Sequence, residues 1–357
     1  MTVFPQPASD PRQAGAHDPL LELRDFGVAF PGRDRPVDVV RGIDLTLSPG
    51  EALGIVGESG CGKSVTWLAA LRLLGRGVAT RGAVRLQGMD LTRLGEREIA
   101  RVRGGRIGLI FQDPTSSLNP VQRIGTQLGE VLALHRGLRG AAARAEALRL
   151  LDRVGIADAP RRLGQYPHEF SGGMNQRVMI ALALAGQPEV LVADEPTTAL
   201  DATIQAQILD LIRDIRAETG MGLVLISHDL GVVADLCDRV AVMYAGRIVE
   251  TAPTAELLSR PRHPYARGLL AALPTLTGPR RRLTPIPGTV PSPEAMPEGC
   301  AFAPRCPIAA EACHSEVPAL TYAGQDRRAA CLRLAETALT DAALPPPAMS
   351  ALAEALS

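Results

Sequence analysis

The chain has 357 residues, 38 of them basic and 38 acidic, so its formal net charge is zero. A neutral chain has no global field to draw it onto nucleic acid or an acidic membrane surface, so its partners must be recognised locally. The length suits one large domain with an appendage or two ordinary domains, and no apolar run approaches the ~18 residues that cross a bilayer, Val178 to Ala185 being among the longest.

The first 19 residues, MTVFPQPASDPRQAGAHDP, lack a basic start and an apolar core. They read as a disordered leader and not as a signal peptide, which predicts a soluble cytosolic chain. Leu21 to Phe30 alternates as a strand, and Val37 to Leu47 reads as a second after a Pro/Gly/Asp turn. Ser48-Pro49-Gly50 then turns the chain into a short apolar strand, Ala52 to Val56.

That strand runs into GESGCGKS, Gly57 to Ser64, followed by an expected helix over Val65 to Leu74. The pattern G-x-x-x-x-G-K-[ST] between a buried strand and a helix is the phosphate loop. Its glycines let backbone N–H groups at a helix N-terminus wrap a polyphosphate. Lys63 is placed to reach the β- and γ-phosphates, and the Ser64 hydroxyl to ligate Mg²⁺. Phe30, one strand upstream, is placed either to stack on a nucleotide base or to pack in a sheet. Cys61 sits among phosphate-binding amides, where a thiolate is favoured; the alternative, a tolerated small residue at a variable loop position, is the better reading.

Further on, Gly82 to Leu91 reads as strand and turn, and Ile107 to Phe111 as a buried strand ending at Gln112. From Asp113 the composition turns helical, and Ala141 to Val154 sets Ala147, Leu148, Leu151 and Val154 on one face. We read an inserted helical subdomain, about 113–180, whose end is marked by Ser171-Gly172-Gly173 opening a buried helix. Val190 to Ala193 is an apolar strand ending in Asp194-Glu195-Pro196, where proline breaks it. Asp194 is the expected Mg²⁺ partner, and Glu195, pointing the other way along the pleat, is placed to polarise an attacking water. An amphipathic helix over Thr203 to Glu218, a buried strand over Gly222 to Ser227 ending at His228, and a strand pair over Arg239 to Met243 and Gly246 to Glu250 follow. Alternating strands and helices predict a mostly parallel α/β sheet with its nucleotide site at the strand C-terminal ends.

Proline becomes frequent from Pro253, which predicts a separate module over 253–335 after a domain at 20–252, then a tail at 336–357. Four of the six cysteines crowd there, as Cys300, Cys306, Cys313 and Cys331. In a reducing cytosol clustered cysteines argue for metal over disulfides. The intervals are not the tight pairs of common zinc fingers, and four soft sulfurs suit either a [4Fe-4S] cluster or tetrahedral Zn²⁺. His314 is adjacent but unnecessary beside a fourth cysteine.

Taken in order, GESGCGKS, Gln112, SGGMNQR at Ser171 to Arg177, LVADEP at Leu191 to Pro196, TALD at Thr198 to Asp201, and His228 resemble the ATP-binding subunits of ABC transporters. QDPTSSLNP at Gln112 to Pro120, QYPHEFSGGM at Gln165 to Met174, DEPTTALDATIQAQILDLI at Asp194 to Ile212, HDLGVVADLCDRVAVMYAGRIVE at His228 to Glu250 and RHPYARGLL at Arg262 to Leu270 narrow the resemblance. They are similar to the oligopeptide/dipeptide importer ATPases, over about residues 20 to 331.

The resemblance implies an ABC-type α/β phosphate-loop ATPase: a mixed sheet core, an antiparallel β subdomain, the helical insertion and a cysteine-containing C-terminal module. It implies an ATP site of Phe30, Gly57, Ser59, Gly60, Cys61, Gly62, Lys63, Ser64 and Val65, and Mg²⁺ on Ser64, Gln112 and Asp194. It makes Glu195 the base, gives Gln112 the attacking water, and sets His228 on the γ-phosphate. Ser171, Gly172 and Gly173 would act in trans on a second ATPase subunit, identical or related, with Asp201 at the dimer seam. Two transmembrane permease subunits and an extracytoplasmic solute-binding protein complete the expected assembly, placing the chain peripherally on the cytoplasmic face of the cell (inner) membrane. For the four cysteines the resemblance favours the [4Fe-4S] cluster. Nickel, glutathione or another small solute is the rival cargo to di- and oligopeptides. A non-transport ABC ATPase acting on nucleic acid is disfavoured by the neutral charge and the lack of long coiled coils or a tandem ATPase domain. One departure is visible: Asn175 stands where this family usually carries arginine, which bears on tuning of the interface.

Overall fold

The computed structural model describes residues 18–272 and 285–339, apart from 76, 199 and 325. The leader expected at 1–19 and the tail expected at 336–357 fall almost wholly outside them.

Two sheets organise the chain. β1 (Leu21–Phe30), β2 (Val37–Leu47), β4 (Ala79–Leu86) and β5 (Met89–Asp90) form an antiparallel sheet in the order β2-β1-β4-β5. The second sheet has eight strands in the order β11-β12-β10-β9-β3-β8-β7-β6. Its strands are β3 (Ala52–Val56), β6 (Ile107–Ile110), β7 (Val190–Asp194), β8 (Gly222–Ile226), β9 (Arg239–Tyr244), β10 (Arg247–Pro253), β11 (Thr321–Gly324) and β12 (Arg327–Ala329). From β9 to β6 the neighbours are parallel, and from β9 outward through β10, β12 and β11 they are antiparallel.

The central strands are apolar throughout because both faces are covered. Alternate residues serve different cores. Val56, Leu191, Ala193, Leu223 and Leu225 join the helical side, while Leu53, Ile55, Val190, Val192, Val224 and Ile226 pack toward the antiparallel sheet. At ~25 cal/mol per Å² of apolar surface removed from water, this double burial is the main stabilising term.

Four differences from the sequence reading have local causes. The phosphate-loop helix runs over Lys63–Ala70, capped at Gly62, and ends earlier than expected because Arg72 adopts a left-handed backbone (φ 54°). β6 stops at Ile110, leaving Phe111 39% exposed. The helix Gly140–Arg153 packs against both Ile124–Arg136 and Gly172–Ala185, which also touch each other, and Leu150 is buried in place of Leu148. Lastly, the expected boundary at 252/253 falls inside β10, and the C-terminal region is not separate: Glu250 and Thr251 pair with Ala329 and Arg328 of β12. The returning chain covers what would otherwise be an open strand edge.

Candidate active site

β3, β8, β7 and β6 lie side by side and parallel, so the residues following them emerge at one end of the sheet. After β3, Gly57 passes so close to the chain that a Cβ would lie 2.2 Å from the Met243 carbonyl oxygen. Only glycine fits there. Gly62, at φ 103°, takes a left-handed turn that starts the helix. Lys63 is only 7% exposed, and its Nζ donates to the carbonyls of Gly57 at 2.7 Å and Glu58 at 3.1 Å.

The Ser64 hydroxyl donates to Asp194 at the end of β7. Burial pushes the Asp194 carboxyl up, while Ser64 and Lys63 hold it down. Its Oδ1 is buried without a hydrogen-bond partner. A buried carboxylate oxygen left unpaired is costly unless a cation completes it. With the Ser64 hydroxyl and the nearby Gln112 amide, this oxygen-rich set fits Mg²⁺.

Glu195 takes a left-handed backbone (φ 47°), and its N–H donates to Ile226 O at 2.9 Å. Such a conformation at a non-glycine residue costs on the order of 1 kcal/mol and often marks a functional position. Glu195 Oε2 accepts from Gln112 Nε2 at 3.1 Å and from Thr198 Oγ1 at 2.9 Å, and Oε1 lies 3.3 Å from His228 Nδ1. The side chain of Glu195 is 16% exposed, whereas His228 is 64% exposed and so open to a ligand. Three residues separated widely in sequence thus converge on one carboxylate. Thr198 had no role in the sequence reading; its signal was its place three residues after Glu195, at the start of TALD.

Ser171 caps the helix Gly172–Ala185, its side chain accepting from Met174 N at 3.3 Å. Ser171 and Gly172 are exposed, and among the described residues no hydrogen bond joins Ser171, Gly172 or Gly173 to Lys63, Asp194 or Glu195. Asp201 is likewise exposed and caps the helix Ala202–Thr219 through Ile204 N at 3.0 Å. Asn175 corrects an expectation. It is 4% exposed and its Nδ2 donates to Pro167 O at 3.1 Å, so it faces into the fold from the helix Gly172–Ala185 and not toward an interface.

Phe30, at the end of β1, is partly buried against the core beside the antiparallel sheet. Cys61 is 1% exposed, and burial raises its thiol above its ordinary value although Lys63 draws it down. This burial opposes the thiolate and agrees with the preferred reading of Cys61 as a small residue tolerated in the loop. Ser59 and Gly60 are exposed on the outer rim of the loop, and Ser64 and Val65 are half-buried at the helix start.

The C-terminal region reaches the same loop. Tyr265, in the helix Pro264–Ala271, and Arg305, on a single turn between Cys300 and Cys306, both bond to Glu58. Sequence gave no signal for these partners beyond opposite charge. Cys300, Cys306, Cys313 and Cys331 line one small cavity with His263 and Phe302. As they stand they do not compose a metal centre: among the described residues no group of three or more potential ligands is arranged to hold a metal. Burial pushes the Cys306 thiol up to about 11, the other three cysteines adding to it.

The chain matches a family model described as ABC transporter over residues 40–198, and a second described as oligopeptide/dipeptide transporter, C-terminal region, over 249–313. A putative peptide import ATP-binding protein of Brucella melitensis biotype 1 is 49% identical over 336 residues, covering 90% of this chain and 99% of that protein. One from Brucella abortus is 50% identical over 307 residues, covering 86% and 92%. Among solved structures, a dimeric ATP-binding cassette in a post-hydrolysis state with ADP and phosphate aligns at TM-score 0.59 and 26% identity, covering 66% of this chain and 98% of that one. A cassette from Clostridium perfringens, part of an ABC transporter complex, aligns at TM-score 0.57 and 26% identity, covering 68% and 91%.

Proposed function

The chain belongs to the ABC transporter ATP-binding family, with the oligopeptide/dipeptide-type C-terminal region, and from that membership we propose that it is the subunit that powers import of di- and oligopeptides. It is an ATPase. The observation that carries the chemistry is the convergence of Gln112, Thr198 and His228 on Glu195, beside the Ser64–Asp194 pair.

In the proposed mechanism the amides from Gly57 to Val65 receive the ATP phosphates, and Phe30 stacks on the base. Lys63 exchanges the carbonyls of Gly57 and Glu58 for the β- and γ-phosphates. Glu195, oriented by Thr198 and Gln112, takes a proton from the attacking water. The water oxygen bonds to the γ-phosphorus as the bond to the β,γ-bridging oxygen breaks, giving ADP and phosphate. His228 holds the γ-phosphate. Bound Mg²⁺, held by Ser64, Gln112 and Asp194, would neutralise charge developing on the phosphates.

Ser171 to Gly173 complete the site of a second ATPase subunit, a reading supported by the exposure of Ser171 and Gly172. Asp201 lies at that seam. No helix among the described residues is long and apolar enough to cross a membrane. In this reading the transport path belongs to two permease subunits, fed by an extracytoplasmic binding protein, with this chain peripheral on the cytoplasmic face. Purifying the intact membrane complex and identifying the ligand of its binding protein tests the cargo. Peptide would support the reading; nickel or glutathione would overturn it.

Although among the described residues the cysteines are not arranged as a metal centre, we propose from four soft sulfurs around one cavity that they take a [4Fe-4S] cluster, which would require the sulfurs to draw together. Anaerobic purification with iron, sulfide and zinc analysis tests this. Stoichiometric zinc, or a metal-free chain, rejects it.

A further inference from the structure

Glu58 is the second residue of the phosphate loop, and each of its polar groups is engaged. Its N–H donates to Tyr265 Oη at 2.8 Å. Its carboxylate accepts both Arg305 Nη1, at 2.7 Å, and Nη2, at 3.0 Å. Its carbonyl accepts from Lys63 Nζ at 3.1 Å.

The two outside partners lie 207 and 247 residues further along the chain, and neither is loosely placed. Tyr265 is fully buried. The Arg305 side chain is 4% exposed. Its guanidinium carbon sits 5.8 Å from the Tyr244 ring centroid and 5.9 Å from that of Phe302, and its Nε donates to Pro287 O at 2.8 Å. Tyr244, Tyr265 and Phe302 pack on one another, with centroids 4.5 to 5.5 Å apart. A fork-shaped, doubly bonded arginine–carboxylate pair fixes orientation as well as distance. Neighbouring residues of the loop have few anchors of their own: Ser59 and Gly60 are exposed, and a Cβ on Gly60 would meet nothing within 4 Å.

A phosphate cradle works best when its amides are aimed before the ligand arrives, since ordering it afterwards subtracts from affinity. We infer that the C-terminal region is part of the nucleotide site: Arg305 and Tyr265 are positioning residues that hold Glu58, and through it Gly57 and Lys63, in the phosphate-receiving form. This region therefore sets nucleotide affinity. The inference rests on the ATPase assignment and is independent of the transported cargo.

The test uses the full chain with Arg305→Gln, Arg305→Lys, Glu58→Gln and the Arg305→Gln/Glu58→Gln pair. Equilibrium binding of ATP and of ADP, kcat and KM at saturating Mg²⁺, and the nucleotide-free melting temperature are measured for each. Arg305→Gln is expected to raise Kd for both nucleotides about tenfold, equivalent to ~1.4 kcal/mol, with kcat within about twofold of wild type. Arg305→Lys keeps the charge but loses the fork, so it falls between. The double variant should bind about as well as either single one, because all remove the same bond. If Arg305→Gln and Glu58→Gln lower melting while Kd stays unchanged, the contact is only a staple and the inference is wrong. Should Arg305→Gln fail to fold, Tyr265→Phe, which deletes one hydroxyl, decides the matter: a raised Kd supports the inference and an unchanged Kd overturns it. A wild-type chain unable to bind ATP would instead overturn the ATPase assignment, and the same titration reveals it.

Discussion

Glu195→Gln separates geometry from basicity. The amide that replaces the carboxylate has nearly the same shape, and its carbonyl oxygen can still accept from Thr198 Oγ1, now 2.9 Å away, and Gln112 Nε2, at 3.1 Å. Its NH₂ then faces His228 Nδ1, which lies 3.3 Å from Glu195 Oε1 and can accept when neutral. The ground-state network therefore survives while the proton acceptor is lost. A positioned general base contributes about 10²- to 10⁴-fold, so kcat should fall by that factor, ~2.7 to 5.4 kcal/mol at 1.36 kcal/mol per decade. Nucleotide affinity should hold, because no atom of Glu195 belongs to the phosphate loop. ATP-bound dimers should then accumulate. Phosphate release at saturating Mg-ATP gives the rate, and size-exclusion chromatography with light scattering in ATP gives the dimer. Turnover within about threefold of wild type would remove Glu195 as the base, whatever the dimer does.

Three further outcomes follow from the same contacts. Thr198→Val deletes one donor to the base; losing a hydrogen bond worth ~1 kcal/mol should lower kcat about fivefold, and an unchanged kcat at equal KM would show that Thr198 does not orient Glu195. Cys61, at 1% exposure, should resist maleimide in the folded chain with or without ATP, and Cys61→Ser should keep its activity; labelling that ATP blocks would contradict the burial. In the helical insertion, hydrogen bonds from Arg149 and then Arg136 lower Glu146 from its ordinary 4.5 to about 2. A depressed carboxyl contributes stability above 4.5 and loses it as pH falls through that interval. Because Arg149 is 53% exposed, solvent screening leaves ~1 kcal/mol. Glu146→Gln should be less stable by that amount at pH 7 in urea unfolding, the gap closing toward pH 2; a gap constant with pH would sink the assignment.

What was legible in the sequence was chemistry carried by adjacent residues. Gly57 to Ser64 declares its function because the backbone that wraps a phosphate is local, and LVADEP does so because a buried strand must end where its carboxylates emerge. Spacing also brought Gln112 and His228 to the ends of strands. It could not say that these strands would flank β7 on either side, since parallel pairing joins residues as far apart in sequence as Ile107 and Val190. The misplaced boundary at 252/253 has the same origin: the proline content marked a change at Pro253, but the helices Thr254–Ser259 and Pro264–Ala271 follow it and β12 closes back onto β10. Asn175 drew an interface reading because it stands where the family usually carries arginine, yet its side chain is buried and bonds to Pro167 O.

The clearest instance is Glu58. Within GESGCGKS it occupies a position the motif leaves open, and nothing local distinguishes it from Ser59. Its partners come from a proline-rich stretch and a cysteine pattern whose spacing drew attention to sulfur and away from the arginine between two cysteines. A residue acquires such a role through burial, and burial is a property of the whole fold: Arg305 can hold Glu58 only because Tyr244, Tyr265 and Phe302 exclude water around the pair. In that setting removing Glu58 leaves the Arg305 guanidinium, 4% exposed, buried and uncompensated, whereas Glu58 itself is 31% exposed. The two residues are therefore coupled far more tightly than an exposed pair of the same type would be, and the region that began as an appendage by composition is bonded, at its most buried point, to the loop that receives ATP.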